Sequence, residues 1–337
     1  MKYDIGMYGG AFNPLHLGHV NDIIKASNVC KKLYLVLSVS NDKNEIDYRE
    51  RLMWLKNITN HMDNVEIFPI FDNNKNKENY DWLNGVNQIK THIGKPIDVV
   101  FAGSDYKGRN IWETLYPESK IHYFDRNIIP ISSTEIRNKP FKYYEYLPHI
   151  VQRYYIKKVC IIGTESCGKT TLIKNLATYF NTTYVEEAGK YICIDAGGID
   201  NMQKKHYFDI LFKHKELERI ALENANKVLL IDTDSLITLF YYNLGFNDTD
   251  IQNDYFKNIA ESISKLNNYD LYIFLEPDVN FVYDITRREV NDSVRNENNI
   301  KLKKLFDSVG IKYITINGNY DERYEKSKEK VLKLIKE

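Results

Sequence analysis

Two stretches of this chain carry residue types that can manage phosphate. The first is Gly9-Gly10-Ala11-Phe12-Asn13-Pro14-Leu15-His16-Leu17-Gly18-His19. An apolar segment, Tyr3–Tyr8, precedes it and reads as a strand; a helix pattern starts at about Leu17. Gly9 and Gly10 let the backbone turn sharply and approach a ligand, and Pro14 stiffens the loop. His16 and His19, three apart, fall on one face of a first helical turn, where free backbone amides favour phosphate. Two imidazoles there can donate to phosphate oxygens and stabilise a pentacovalent phosphorus as a leaving group departs. A supporting piece is Ile131-Ser132-Ser133-Thr134-Glu135-Ile136-Arg137. Its hydroxyls suit an ordinary helix N-cap. With Arg137 three residues past Thr134, they also suit an anion clamp.

The second stretch is Gly163-Thr164-Glu165-Ser166-Cys167-Gly168-Lys169-Thr170-Thr171. It fits G-x-x-x-x-G-K-[ST] and lies between a strand, Lys158–Ile162, and a helix, Lys169–Tyr179, as that phosphate loop requires. Backbone amides from Gly163 to Thr171 would wrap the phosphates. Lys169 would neutralise β/γ charge, and the Thr170 hydroxyl would ligate Mg²⁺. Downstream, the apolar run Val228-Leu229-Leu230-Ile231 ends in Asp232-Thr233-Asp234. An acid after a buried strand is what the same Mg²⁺ needs, although one of these two also suits a helix N-cap. Asp232 follows Lys169 by 63 positions, a compact spacing that fits small-molecule kinases. Beyond a further strand, Asp270–Leu275, come Arg287, Arg288 and Arg295. They can steady a moving phosphoryl group or serve as a solvated charged face.

These residues need a frame that brings strand ends and helix starts together. Further strand candidates, by length and β-branched content, are Lys32–Val39, Val65–Ile70, Ile97–Ala102, Ile121–Phe124, Lys227–Ile231 and Ile311–Ile316. Helical patterns alternate with them at Tyr48–Thr59, Tyr80–His92, Thr134–Asn138, His206–Asn226 and Tyr320–Lys336. Alternation of this kind predicts an α/β fold with parallel sheets. Two such openings predict two domains, 1–155 and 156–337, the first doubly wound and the second a P-loop domain. The run Asp72–Lys77 reads as an exposed loop. Asp22 and Lys25 read as solvated-face residues of the first helix. The last helix, with Val331, Leu332, Leu334 and Ile335, reads as docked on its own domain.

Composition narrows the class. The 337 residues hold 46 Lys+Arg against 46 Asp+Glu, so no net basic field argues for nucleic acid or a membrane surface. Hydrophobic residues at 43% and charged residues at 27% fit globular cores rather than disorder. The four cysteines, Cys30, Cys160, Cys167 and Cys193, form no C-x-x-C pair, so they read as reduced thiols rather than a zinc site or disulfide scaffold. No apolar run approaches membrane-spanning length, and the N-terminus lacks an apolar signal core; the expectation is a cytoplasmic protein.

The segments His16-Leu17-Gly18-His19 and Ile131–Arg137 resemble the H-x-G-H and I-S-S-T-x-x-R signatures of the nucleotidylyltransferase superfamily. That resemblance implies ATP bound by Gly9, Gly10, Ala11, Phe12, His16, His19, Ser132, Ser133, Thr134 and Arg137, with a substrate phosphate attacking its α-phosphorus. The segment bearing Arg287 and Arg288 resembles the lid of nucleoside and nucleotide kinases. In tandem order, nearly the whole chain resembles the bifunctional nicotinamide-nucleotide adenylyltransferase / ribosylnicotinamide kinase family. Stretches such as Arg137–Pro148, Asn181-Thr182-Thr183 and Ala196-Gly197-Gly198 add to it. The resemblance implies that ATP phosphorylates nicotinamide riboside in the second half. The first half then joins the mononucleotide to AMP, giving NAD. Trp82 stands where the family places an aromatic on nicotinamide, a core tryptophan being the other reading. Glu186-Glu187-Ala188-Gly189-Lys190-Tyr191 stands where the family often reads E-Y-x-R-E. Glu186, or Glu187, would act as general base toward the ribosyl hydroxyl, with Asp232 and Asp234 beside the substrate. Enteric members open with a DNA-binding helix-turn-helix. This sequence opens in the catalytic strand, so no repressor activity is expected. A homo-oligomer is compatible with the resemblance. Because the motifs read phosphate rather than base, the same residues suit an adenylyl- or cytidylyltransferase fused to another nucleoside or cofactor-precursor kinase. The altered Glu186 segment also suits a nucleotide-sensing regulator.

Overall fold

The computed structural model describes residues 2–40, 45–72, 81–246, 251–282, 284, 286–289 and 291–336, with backbone alone at 251–254. The chain forms two compact units, Met1–Tyr154 and Tyr155–Glu337. No described helix is long and apolar enough to cross a membrane.

In the first unit the order is β1 (Tyr3–Gly10), α1 (Leu17–Val29), β2 (Cys30–Val39), α2 (Tyr48–Ile58), β3 (Val65–Phe71), α3 (Trp82–Ile93), β4 (Val99–Gly103), α4 (Ile111–Leu115), β5 (Lys120–Phe124), α5 (Ser133–Asn138) and α6 (His149–Tyr155). The sheet runs β3-β2-β1-β4-β5, every pair parallel. Strand order reverses at β1, so a crevice opens beyond the C-terminal ends of β1 and β4, where doubly wound sheets hold ligands. One face packs Met7, Val36, Phe68 and Val100 against Val86, Ile89 and Ile93 of α3.

The second unit continues with β6 (Lys157–Ile162), α7 (Lys169–Phe180), β7 (Tyr184–Val185), α8 (Ala188–Asp195), α9 (Lys204–Leu222), β8 (Val228–Asp232), α10 (Ser235–Gly245), α11 (Ile251–Asn267), β9 (Leu271–Leu275), α12 (Asp292–Val309), β10 (Ile314–Ile316) and α13 (Tyr320–Leu334). Its parallel sheet runs β10-β9-β6-β8-β7. Period-2 alternation divides β6 between two cores. Val159 and Ile161 face α7 and Val331 of α13; Cys160 and Ile162 face the other layer, with Leu211, Phe240 and Phe306. Burial on both sides explains why Val228–Ile231 is unbroken apolar sequence.

The element boundaries differ from the sequence expectation in places. Lys227 sits at φ 59, so β8 begins one residue later than expected. The last strand covers only Ile314–Ile316 of Ile311–Ile316. The Tyr80 start of the expected Tyr80–His92 helix, and Asn73–Lys77 of the expected loop, lie outside the described residues, while Asp72 is buried. Asp22 is half-buried and accepts from the Tyr8 hydroxyl at 3.4 Å, so it is not a solvated-face residue. Lys25 is exposed as expected.

Candidate functional site

In the first unit β1 delivers Gly9 and Gly10 to the crevice, and His16 caps the start of α1 with extended backbone. The His16 and His19 rings stack with centroids 3.7 Å apart, and Phe12, at φ 47, meets His19 edge-on at 5.0 Å. Both nitrogens of His16 and Nδ1 of His19 are buried with no hydrogen-bond partner among the described residues. Buried polar atoms without partners are costly; His19 lines the crevice cavity, and both rings line a small recess beside it, so an anion reaching them would satisfy these atoms. Burial, and then the charge of Arg126, lowers the His16 pKa to about 4. Burial, then His16 and Arg126, drives His19 well below the usual imidazole range. Both rings are therefore neutral near pH 7, each with one N–H to donate.

The Ser132–Arg137 segment reaches the same loop across more than a hundred residues. Ser133 Oγ donates to the Pro14 carbonyl at 2.9 Å, and Arg137 donates to the Asn13 carbonyl and, at 3.1 Å, to Thr134 Oγ. Ser132 takes the N-cap position of α5, accepting from the Glu135 amide while the Glu135 carboxylate accepts from Ser132. Sequence reading missed Arg51. Fully buried, it donates to the carbonyls of Ala11 (2.7 Å), Ser38 and Ile46 and pairs with Glu45, fixing the glycine loop from behind.

A cavity of about 260 Å³ joins Gly9–Asn13, His19, Arg126, Ser132–Thr134 and Arg137. An adjoining one of about 280 Å³ shares Gly9, Gly10, Ala11, Tyr106 and Trp112, and adds Trp82 and Tyr116. Trp82 and Trp112 stand perpendicular at 5.5 Å, forming the walls of an aromatic box. Trp82 therefore lines a cavity, and Trp112 and Tyr106 join it without any motif to announce them.

In the second unit the loop after β6 curls round Lys169. Ser166 (φ 57) and Gly168 (φ 85) take left-handed backbone. A Cβ on Gly163 would lie 2.8 Å from the Leu275 carbonyl, so only glycine lets the loop cross β9 there. Two fully buried arginines occupy the outward carbonyls: Arg295 takes Ser166 O at 3.1 Å, and Arg323 takes Cys167 O. Lys169 Nζ donates to Gly163 O (3.1 Å) and Thr164 O (2.8 Å). Burial opposes its charge, but the Cys167 sulfur, Glu187, Asp232 and Glu289 together hold its pKa above the ordinary lysine value. Thr170 Oγ donates to Asp232 Oδ2 at 2.6 Å at the end of β8.

A cavity of about 220 Å³ runs from this loop between α8, α9, α10 and α11. Glu165–Thr171, Glu187, Lys190, Tyr207, Asp234, Tyr241 and Arg287 line it. Four expected residues fall elsewhere or in another role. Glu186 lies on the outer side, accepting from Tyr191 and pairing with Lys174 at 3.3 Å; the carboxylate facing the cavity is Glu187. Burial raises the Glu187 pKa against the pull of Lys169. Arg295 is spent on Ser166, Pro277 and Val279 carbonyls and on Asp292, so it builds the loop and has no free fork for a phosphoryl group. Arg288 donates to the Tyr207 hydroxyl at 2.9 Å, leaving Arg287 as the expected lid arginine at the cavity wall. Asp234 caps α10 through Leu236 N (2.9 Å) and accepts from Asn267 and Tyr272, so both its oxygens are engaged. Lys190 enters the wall in the segment where the expected arginine is missing.

Comparison with known proteins follows this division. Residues 7–139 match the cytidylyltransferase-like family model, and residues 158–323 match an AAA domain model. Along 357 aligned positions the chain is 27% identical to the trifunctional NAD biosynthesis/regulator protein NadR of Escherichia coli (strain K12), covering 100% of this chain and 84% of that protein. Over 150 residues, 41% of the chain, it is 39% identical to the phosphopantetheine adenylyltransferase of Mycoplasma capricolum subsp. capricolum, covering 96% of that enzyme. The crystal structure of a NadR protein in complex with NR superposes with a TM-score of 0.82 at 20% identity, over 99% of this chain and 96% of that one; this is a likeness of fold.

Proposed function

Taking as premise that this chain is a homologue of NadR, a cytidylyltransferase-like unit followed by a P-loop unit, we propose that it makes NAD from nicotinamide riboside in two ATP-dependent steps. In the second unit the riboside hydroxyl attacks the γ-phosphorus of ATP, the bond to the β,γ-bridging oxygen breaks, and ADP leaves. Glu187 takes its proton, and Lys169 and Arg287 offset charge on the phosphoryl group. In the first unit the phosphate of the mononucleotide attacks the α-phosphorus of a second ATP, and pyrophosphate leaves. His16 and His19, as neutral donors, and the Ser132–Arg137 segment steady the triphosphate. Mg²⁺ fits beside the kinase loop: Thr170 Oγ and an Asp232 carboxylate oxygen lie 2.6 Å apart at the end of β8, two hard oxygen donors of the kind that ion takes. Bound there, the ion would screen the β- and γ-phosphates. The four buried, free cysteines support a reducing, cytoplasmic setting.

The observation that supports this reading is the pair of strand–loop–helix turns in one chain, each bearing residues suited to phosphate. Each lies at the C-terminal end of its sheet's central strand, and one reaction makes the phosphate the other consumes. Incubation with nicotinamide riboside, ATP and Mg²⁺ should yield the mononucleotide and then NAD by mass spectrometry. Absence of both products would overturn it. The likeness of the first unit to a phosphopantetheine adenylyltransferase supports a second reading, adenylylation of phosphopantetheine. Supplying either acceptor with ATP separates them. The Trp82–Trp112 box, suited to a flat cationic ring, favours the mononucleotide.

A further inference from the structure

We propose that Arg126 is the guanidinium that receives the β- and γ-phosphates of ATP in the first unit, and that Asp105 is a built-in competitor holding it until ATP arrives. The proposal rests on the adenylyl-transfer reading of that unit.

Arg126 follows β5 and borders two spaces at once. One is the cavity with Gly9–Asn13, His19 and Ser132–Thr134; the other is a small recess with His16, His19 and Asp22. Its charge is felt by both histidine rings. The arginine expected for this task, Arg137, lines the same cavity but gives one bond from each terminal nitrogen to Asn13 O and Thr134 Oγ, so part of its fork is committed to building the loop. Arg126 is differently placed. Its side chain is 42% exposed, and its one side-chain partner among the described residues is Asp105, with Nε 2.6 Å from Oδ1. The Arg126 amide donates to Ser104 Oγ at 3.2 Å, which fixes the stem while leaving the side chain able to swing. The ion pair lies over Gly103 at the end of β4, where a Cβ would come within 2.4 Å of both partners.

The electrostatics define the exchange. Two neutral imidazoles supply N–H donors but no charge, so a polyphosphate entering here needs a cation, and Arg126 faces the same space. An exposed ion pair contributes little, about 0–1 kcal/mol, so a guanidinium can leave one carboxylate for several phosphate oxygens in the same fork geometry. The displaced Asp105 carboxylate then faces solvent.

The chain's three tryptophans, Trp54, Trp82 and Trp112, all lie in the first unit. Trp82 and Trp112 line its cavities. Tryptophan fluorescence therefore reads ligand entry there, even though ATP also enters the second unit. Titrations with ATP and, separately, with nicotinamide mononucleotide would be run on the wild type, Arg126→Gln and Asp105→Asn, with the KM for ATP in NAD formation alongside. Arg126→Gln should weaken ATP at least about tenfold and leave the mononucleotide within about twofold; Asp105→Asn should tighten ATP by about threefold or more. An unchanged ATP affinity in Arg126→Gln, or a loss confined to the mononucleotide, overturns the phosphate role. An unchanged or weakened ATP affinity in Asp105→Asn overturns the competitor role. If the wild type binds ATP but forms no NAD, the adenylyl-transfer reading fails, while the titrations still decide Arg126.

Discussion

Glu186 and Glu187 are neighbours in sequence and opposites in environment. They follow the two-residue strand β7, and side chains on extended backbone alternate in direction. One therefore meets Lys174 and Tyr191 outside, and the other meets the kinase cavity. Glu187→Gln should lower kcat for riboside phosphorylation by about 10²–10⁴-fold, the usual contribution of a general base. Glu186→Gln should leave kcat within about twofold, and steady-state assays of the two variants decide between them. A second prediction concerns Glu165. Burial raises its pKa from 4.5 to about 8, against hydrogen bonds that include the Glu289 amide at 2.9 Å. The folded state then holds a proton that the unfolded chain releases. By linkage, the stabilisation is fully present below the ordinary glutamate value and is lost as pH rises toward about 8. Denaturant melts of the second unit from pH 5 to 9 should show that slope in the wild type and a flatter one in Glu165→Gln. That His16 and His19 come together, and that Lys169 sits inside the loop after β6, was legible from type and spacing. The choice between adjacent glutamates was not, because β7 is too short to show a period.

Element by element, the phosphate loop of the second unit is a backbone shape imposed from outside. Gly163 and Gly168 permit it; Arg295 on α12 and Arg323 on α13 enforce it by taking the carbonyls of Ser166 and Cys167. Arg323 also donates to Gly318 O at 2.7 Å and Glu276 O at 2.6 Å. Arg323→Met should destabilise the second unit by about 1–3 kcal/mol per buried carbonyl left unpaired. It should also raise the KM for ATP in the kinase step while leaving adenylyl transfer of added mononucleotide unchanged. Melting curves and the two assays test this together. Neither arginine was legible as a scaffold. α12 turns Arg295, Asn298 and Asn299 inward, so its buried face reads as polar. α10 is buried nearly all round, from Ser235 to Tyr242, so its pattern has no solvent face to mark a helix. By contrast, the buried strands announced themselves as apolar runs, and the sheets followed from their alternation with helices.

At the scale of the molecule, two sheets in one chain imply two separable activities. His19→Ala should abolish NAD formation from the mononucleotide yet still phosphorylate the riboside; Lys169→Ala should do the reverse, each loss being about 10²-fold or more. A mixture of the two variants, given the riboside and ATP, should make NAD again, because the mononucleotide is a small molecule that one protein can release to the other. Loss of both reactions in either folded variant would contradict the division. The two-unit organisation was readable from the repeated strand–glycine–helix opening, since that signal is local in sequence. The residues that seat each opening, Arg51 and Arg323, come from distant helices and gave none. That distance has a consequence for biogenesis. The sheet of the first unit has all its strands once Phe124 has been made, whereas Cys167 must wait for Arg323, 156 positions later. As the chain leaves the ribosome, the pocket beside that loop is thus the last to acquire its shape.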